Sequence, residues 1–158
     1  MKKTYIYVII TLIFCGFYSS SFAIAKESPV IFDREKIIIQ TSKGEQTYNI
    51  EIAITNEQLE VGLMFRESLP KNDGMLFIFN DEQKVNMWMK NTLISLDILF
   101  IDKAGKIVYI AENAKPNSLD IINAGNATVR AVLELGGGTA KENNINIGDK
   151  IIYKVFEK

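Results

Sequence analysis

The chain has 158 residues, 18 basic and 19 acidic, with a single cysteine and no histidine. That is one domain's length at balanced charge, and with no basic run it is a poor match for nucleic acid or an anionic membrane surface. Because Cys15 falls in a leader-like segment, the folded part has no disulfide, no Cys/His zinc site, no cysteine nucleophile and no Ser-His-Asp triad.

Lys2 and Lys3 precede an apolar run from Tyr5 to Phe17, and small residues follow at Ser21, Ala23 and Ala25. This three-part layout predicts a secretory signal peptide over residues 1–23. The run is shorter than the ~20 residues a spanning helix needs, so cleavage is expected in preference to anchoring. Cys15 follows the bulky Phe14, which argues against a lipoprotein site. The expected location is periplasmic or extracellular, with no membrane attachment after cleavage. Residues 24–35 read as a lead-in and residues 36–158 as one globular domain.

Ile37 to Thr41 reads as a strand. After a turn at Ser42-Lys43-Gly44, Tyr48, Ile50, Ile52 and Ile54 alternate with Asn49, Glu51 and Ala53, the period of a half-buried strand in a hairpin with the first. Thr55 and Gln58 have capping-box spacing, which predicts a short helix ending near Arg66. Pro70 and Asp73-Gly74 mark a turn. Gly74 to Phe79 is apolar on both faces, as in a central strand. Further strands are predicted over Val85–Thr92, Ser95–Asp102, Lys106–Ala111, Val129–Leu135 and Lys150–Phe156. Residues 116–126 read as loop, and Gly136-Gly137-Gly138 as the opening of a short helical turn through Asn143. The fold class is mainly β with two short helices (α+β), a small curled antiparallel sheet or barrel.

The segment from Gly62 to Asp102 carries the chemistry. On a strand over Val85–Thr92, Trp88, Lys90 and Thr92 share one face, while Met87, Met89 and Asn91 share the other. An aromatic plate, a cation and a hydroxyl in a row suit a small polar ligand; a half-buried edge Trp beside a solvated Lys is the competing reading. Asp97 is in phase with Leu99 and Ile101 and looks inward, so it needs a cation or several N–H donors, with Arg66 and Lys90 as candidate cations. Glu134, between Leu133 and Leu135, is a second carboxylate in a strand-like segment, although alternation alone can turn it to solvent. The triple glycine resembles an anion-binding loop in composition only and lacks the Lys-Ser/Thr of a nucleotide loop. No cofactor or metal motif is present.

Gly62-Leu63-Met64-Phe65-Arg66, Gly74-Met75-Leu76-Phe77, Trp88-Met89-Lys90-Asn91-Thr92, Leu96-Asp97-Ile98, Phe100-Ile101-Asp102, Val132-Leu133-Glu134 and Gly148-Asp149 follow one another in an order that resembles the domain of unknown function 192 family. The resemblance runs from about Ile37 to the C-terminus. It implies a compact β-rich fold, commonly behind an export signal, and brings no agreed catalytic set. Two positions depart from the family's habit: Ser95 stands where Pro is usual, and Asn117 stands where Cys is frequent after Pro116.

Three functions follow from these residues. The leading one is a non-catalytic binding or accessory module of the cell envelope for a small polar or anionic ligand. Its site is formed by Arg66, Trp88, Lys90, Asn91 and Thr92, with Asp97 holding the basic residues and Glu134 nearby. The second is a hydrolase or lyase acting on an envelope polymer through Asp97 and Glu134, which requires the two carboxyls within about 5–10 Å of each other. The third is a protein–protein adaptor whose partner is left open.

Overall fold

The computed structural model describes residues 29–157, so the predicted signal peptide lies outside the described residues. The chain order is β1 (Asp33–Thr41), β2 (Gly44–Ala53), α1 (Asn56–Val61), β3 (Asp73–Gln83), β4 (Asn86–Met87), β5 (Leu96–Ile101), β6 (Ile107–Ala114), β7 (Ile122–Asn123), β8 (Val129–Gly136), α2 (Thr139–Glu142) and β9 (Lys150–Ile152), followed by a 3₁₀ turn at Lys154–Phe156. Seven strands form one sheet in the order β6-β5-β8-β3-β2-β1-β9, and β4 pairs with β7 as a separate two-stranded ribbon. The sheet curls into a half-barrel, with an isolated bridge between Lys106 and Lys150 linking its two edges. The mainly β class with two short helices is therefore borne out.

The predicted first hairpin is present, with Ile37 opposite Tyr48 and Thr41 opposite Gly44. Its first strand starts at Asp33, inside the expected lead-in, because Asp33 to Lys36 pair along β2 from Ile52 back to Asn49. Thr55 caps α1 as its spacing predicts: its hydroxyl accepts from the Gln58 N–H while the Gln58 side chain accepts from the Thr55 N–H. The helix ends at Val61, earlier than expected. Gly62 reverses the chain at φ 48°, and its N–H donates to the Gln58 carbonyl. A Cβ there would stand 2.9 Å from the Phe77 ring, so the reversal needs glycine on two counts.

The sheet is mixed, not purely antiparallel. β2 and β3 run parallel, Ile50 beside Gly74 and Ala53 beside Phe77, with α1 in the crossover. The strand expected over Val85–Thr92 shrinks to Asn86–Met87. The chain then turns, with Asn91 at φ 56° and the Thr92 N–H donating to the Met89 carbonyl.

Strand parity sorts the apolar residues into two cores. Ile39, Ile50, Leu76, Leu99, Leu133 and Ile151 fill the inside of the curl. Met75, Phe77, Met89, Ile98, Phe100 and Val132 line the outer face, where α1 and the β4–β7 ribbon cover them. Strand β8 sits between β5 and β3, and all of its residues from Ala131 to Leu135 are buried. A polar side chain between Ala131 and Leu135 therefore enters a core whichever way it points.

Candidate functional site

Glu134 does so on the outer face. It lies in register between Met75 of β3 and Ile98 of β5 and is only 4% exposed. Its carboxyl makes no hydrogen bond or ion pair with any described residue, and burial alone pushes it up from the ordinary carboxyl range to about 8. Unlike the sealed, unpartnered Nη1 of Arg130 on the same strand, its oxygens keep some access to solvent. Glu134 lines a cleft of ≈ 80 Å³ whose walls come from the end of α1 (Leu59, Glu60), the turn after it (Leu63, Met64), Phe77 of β3, and Trp88, Lys90 and Thr92.

Trp88, Lys90 and Thr92 thus line one cleft although their predicted strand is lost. Trp88 is 45% exposed at the mouth, and the Lys90 ammonium stands 5.0 Å from its ring centroid, a cation–π contact. Thr92 is buried; its hydroxyl donates to the Lys90 carbonyl at 3.4 Å. Asn91 supports the rim and does not line the cleft: its carbonyl accepts from the Phe65 N–H at 2.8 Å, and its Nδ2 approaches the Met64 sulfur at 3.8 Å.

Asp97 is elsewhere. It faces the inside of the curl, fully buried, and its partners are neither Arg66 nor Lys90 but three backbone N–H groups. Oδ1 accepts from Asn113 at 2.8 Å and from Gly138 at 3.1 Å, and Oδ2 accepts from Ala140 at 2.7 Å. The triple-glycine turn does cradle an anion, and that anion is the protein's own carboxylate. Gly137 closes on Ser95, where an added Cβ would stand 2.5 Å from the hydroxyl oxygen, and the Gly137 N–H donates to the Ser95 carbonyl. Ser95 also donates its hydroxyl to the Ala114 carbonyl, so the segment before Asp97 is tied on both sides.

Arg66 also leaves the expected cluster. Its guanidinium forms a fork with both Glu51 carboxylate oxygens and lies over the Phe32 ring, 5.9 Å from its centroid. Arg34 reaches Glu51 at 3.1 Å and Asp73 at 3.3 Å. Burial pushes the Glu51 carboxyl up, but Arg66 and Arg34 together outweigh it and hold the group below the ordinary range. Glu51, Met75, Glu134 and Ile98 occupy one row across four strands on the outer face. Glu51 is thus two strand spacings, roughly 10 Å, from Glu134 along the backbone. One carboxylate of the row is doubly paired and the other is bare.

The cleft therefore brings together Trp88, Lys90, Thr92 and Glu134, with Asn91 behind them, and leaves out Arg66 and Asp97. Asp97 and Glu134 are on opposite faces of the sheet, so the two-carboxylate mechanism has no geometry here.

The family model of domain of unknown function 192 (DUF192), described as "Uncharacterized ACR", matches residues 38–153. The chain belongs to this family. No functionally curated protein matches it. A crystal structure from Sinorhizobium meliloti, of a protein provisionally named a transcription regulator, is 39% identical with a TM-score of 0.76, over 79% of this chain and 97% of that one. A crystal structure of a protein of unknown function from Novosphingobium aromaticivorans is 34% identical with a TM-score of 0.73, over 76% and 85% of the two chains.

Within this DUF192 domain, sequence reasoning missed Glu60, Met64 and Phe77 as walls of the cleft and Glu51 as the partner of Arg66. Glu51 occupies the polar phase of an alternating strand, and alternation carries no sign of what covers that phase. The isolated glycine of Gly62-Leu63-Met64 was the one available clue that the α1 turn closes tightly on β3.

Proposed function

We propose that this DUF192 domain is a non-catalytic module, exported by the segment over residues 1–23, that binds a small polar ligand in the cleft above Glu134. The observation that carries the reading is the Glu134 carboxyl, buried, without a partner among the described residues, and bordering a cavity. Such a group is tolerated where a ligand completes it. The exposed Trp88 ring at the mouth adds a surface against which a ligand stacks. Arg66, expected to attract an anion, is taken up by Glu51, which moves the reading away from anions. The near-neutral charge gives no support for carrying the neighbour's transcription-regulator name over to this chain.

Trp88 is the single tryptophan of the chain, so its fluorescence reports on the cleft directly. A panel of neutral sugars, small carboxylates and small amines should contain at least one member that gives a saturable change, weakened at least tenfold by Glu134→Gln. Silence from the whole panel would overturn the reading. An adaptor role is a second reading, favoured by Phe65, Leu93, Leu119 and Ile121, which are exposed on loops beside Trp88. Those loops are joined by backbone hydrogen bonds from Phe65 to Asn91, Met89 to Ser118 and Asn117 to Thr92.

A further inference from the structure

We infer that the ligand of this cleft is a primary ammonium group on a short alkyl stem, with the Glu134 carboxylate as its counter-ion. The inference rests on the binding reading above and specifies its ligand class. Four observations lead to it. First, a buried carboxyl is stabilised in its charged form only by a cation or by several donors, and Glu134 has neither. Second, no cation among the described residues pairs with Glu134. Arg66 is forked onto Glu51, and Lys90 lies over the Trp88 ring. A cation from outside is therefore what would draw Glu134 into its charged form.

Third, the cleft of ≈ 80 Å³ has room for a few heavy atoms, and Leu59, Leu63, Met64 and Phe77 supply apolar walls that suit methylenes. The Thr92 hydroxyl keeps free lone pairs, so that hydroxyl and the carboxylate together can accept the three N–H donors of an ammonium. Fourth, an anion would meet Glu134 and also Glu60, the second acidic group of the lining. Around Glu134 the charged groups are Glu60 from α1 and Lys90 from the loop after β4, with Arg130 four residues back in the same phase of β8, its Nη1 buried and unpartnered, while β3 and β5 present Met75 and Ile98. Glu51, one strand beyond Met75, is neutralised by Arg66 and Arg34.

Binding has a proton balance that sets it apart from other modes. The free carboxyl, pushed up to about 8, is mostly protonated at pH 7. When the ammonium enters, the O–H proton of Glu134 leaves to buffer and the ammonium keeps its own three. Close to one proton is released per ligand at pH 7. Lys90 is a like charge at the mouth, so removing it should help this ligand, whereas an anion would need it.

The test uses the full chain with n-butylammonium, 1-butanol and butyrate as probes, followed by Trp88 fluorescence and by calorimetry at pH 7 in two buffers of different ionisation enthalpy. Butylammonium should saturate with release of close to one proton. Butanol and butyrate should bind at least tenfold more weakly. Lys90→Ala should tighten butylammonium several-fold, and Glu134→Gln should weaken it at least tenfold while circular dichroism shows the fold intact. A capped lysine peptide binding more tightly than butylammonium, with its acetyl-lysine counterpart silent, assigns the ammonium to a protein side chain; the reverse order assigns it to a free amine. If butanol or butyrate matches butylammonium in the wild-type chain, or if no proton is released, the ammonium assignment fails and the small-ligand reading stands. If none of these probes nor the sugar panel binds, both fail.

Discussion

Replacing Glu134 by Gln should flatten the pH dependence of stability between pH 5 and 9. The folded-state carboxyl sits near 8 against an ordinary value of 4.5, so across that window the folded state holds a proton that the unfolded state has lost. The sign follows: an acid whose value is raised on folding leaves stability intact below about 4.5, and stability falls as pH rises until the folded group also ionises near 8. The slope is at most ~1.4 kcal/mol per pH unit, and the loss from pH 5 to pH 9 is on the order of 3–4 kcal/mol. The window is unusually clean because the chain has no histidine. The other described groups with resolved shifts are Glu35 and Glu51, lowered, and Tyr48, Tyr153 and Lys154, raised from values of 10 or above, so all of these titrate outside it. Urea denaturation at half-unit pH intervals measures the effect. Wild type should lose stability steadily to about pH 8.5, and Glu134→Gln should stay level. Parallel curves for the two proteins would mean that Glu134 ionises alike in the folded and unfolded states.

Other perturbations separate the brace from the site. Asp97→Asn turns an amide N–H₂ against the Ala140 N–H and should cost about 2–4 kcal/mol in thermal melts, while leaving butylammonium binding unchanged because Asp97 is on the opposite face. Gly74→Ala places a Cβ 2.4 Å from the Glu134 carbonyl oxygen and 2.8 Å from Leu135, so it should destabilise by roughly 3 kcal/mol or more, or prevent soluble expression. Arg66→Ala leaves the buried Glu51 carboxylate with only Arg34 and should cost about 2–3 kcal/mol at pH 7. Because Glu51 is held below the ordinary range on balance, its contribution is present above about 4.5 and is lost as pH falls through its folded value. Acid denaturation of Arg66→Ala should therefore be shallower than that of wild type.

Local features were legible because local physics sets them. Alternation from Tyr48 to Ile52 located the second strand, Thr55 and Gln58 located the helix start, and parity turned Asp97 inward. Features that depend on which elements meet were not. The parallel pairing of β2 with β3 follows from the α1 crossover, and alternation does not encode strand direction. The Trp88–Thr92 turn mimics a strand because Met87 and Met89 are each drawn into the outer core although Asn91 breaks the extended backbone. Arg66 and Asp97 looked like partners in one dimension, yet the sheet itself separates them. Alternation left Glu134 open to either core or solvent, and the neighbours of β8 decide it: a strand covered on both faces has no solvent phase.

Glu134 presents a bare carboxyl to the cleft. Carbon-13 NMR of the Glu134 side-chain carboxyl, followed through a pH titration with and without n-butylammonium, tests it directly. The midpoint should lie near 8 in the free protein and move downward as the amine saturates the site. A midpoint in the ordinary range near 4.5, indifferent to the amine, would contradict it.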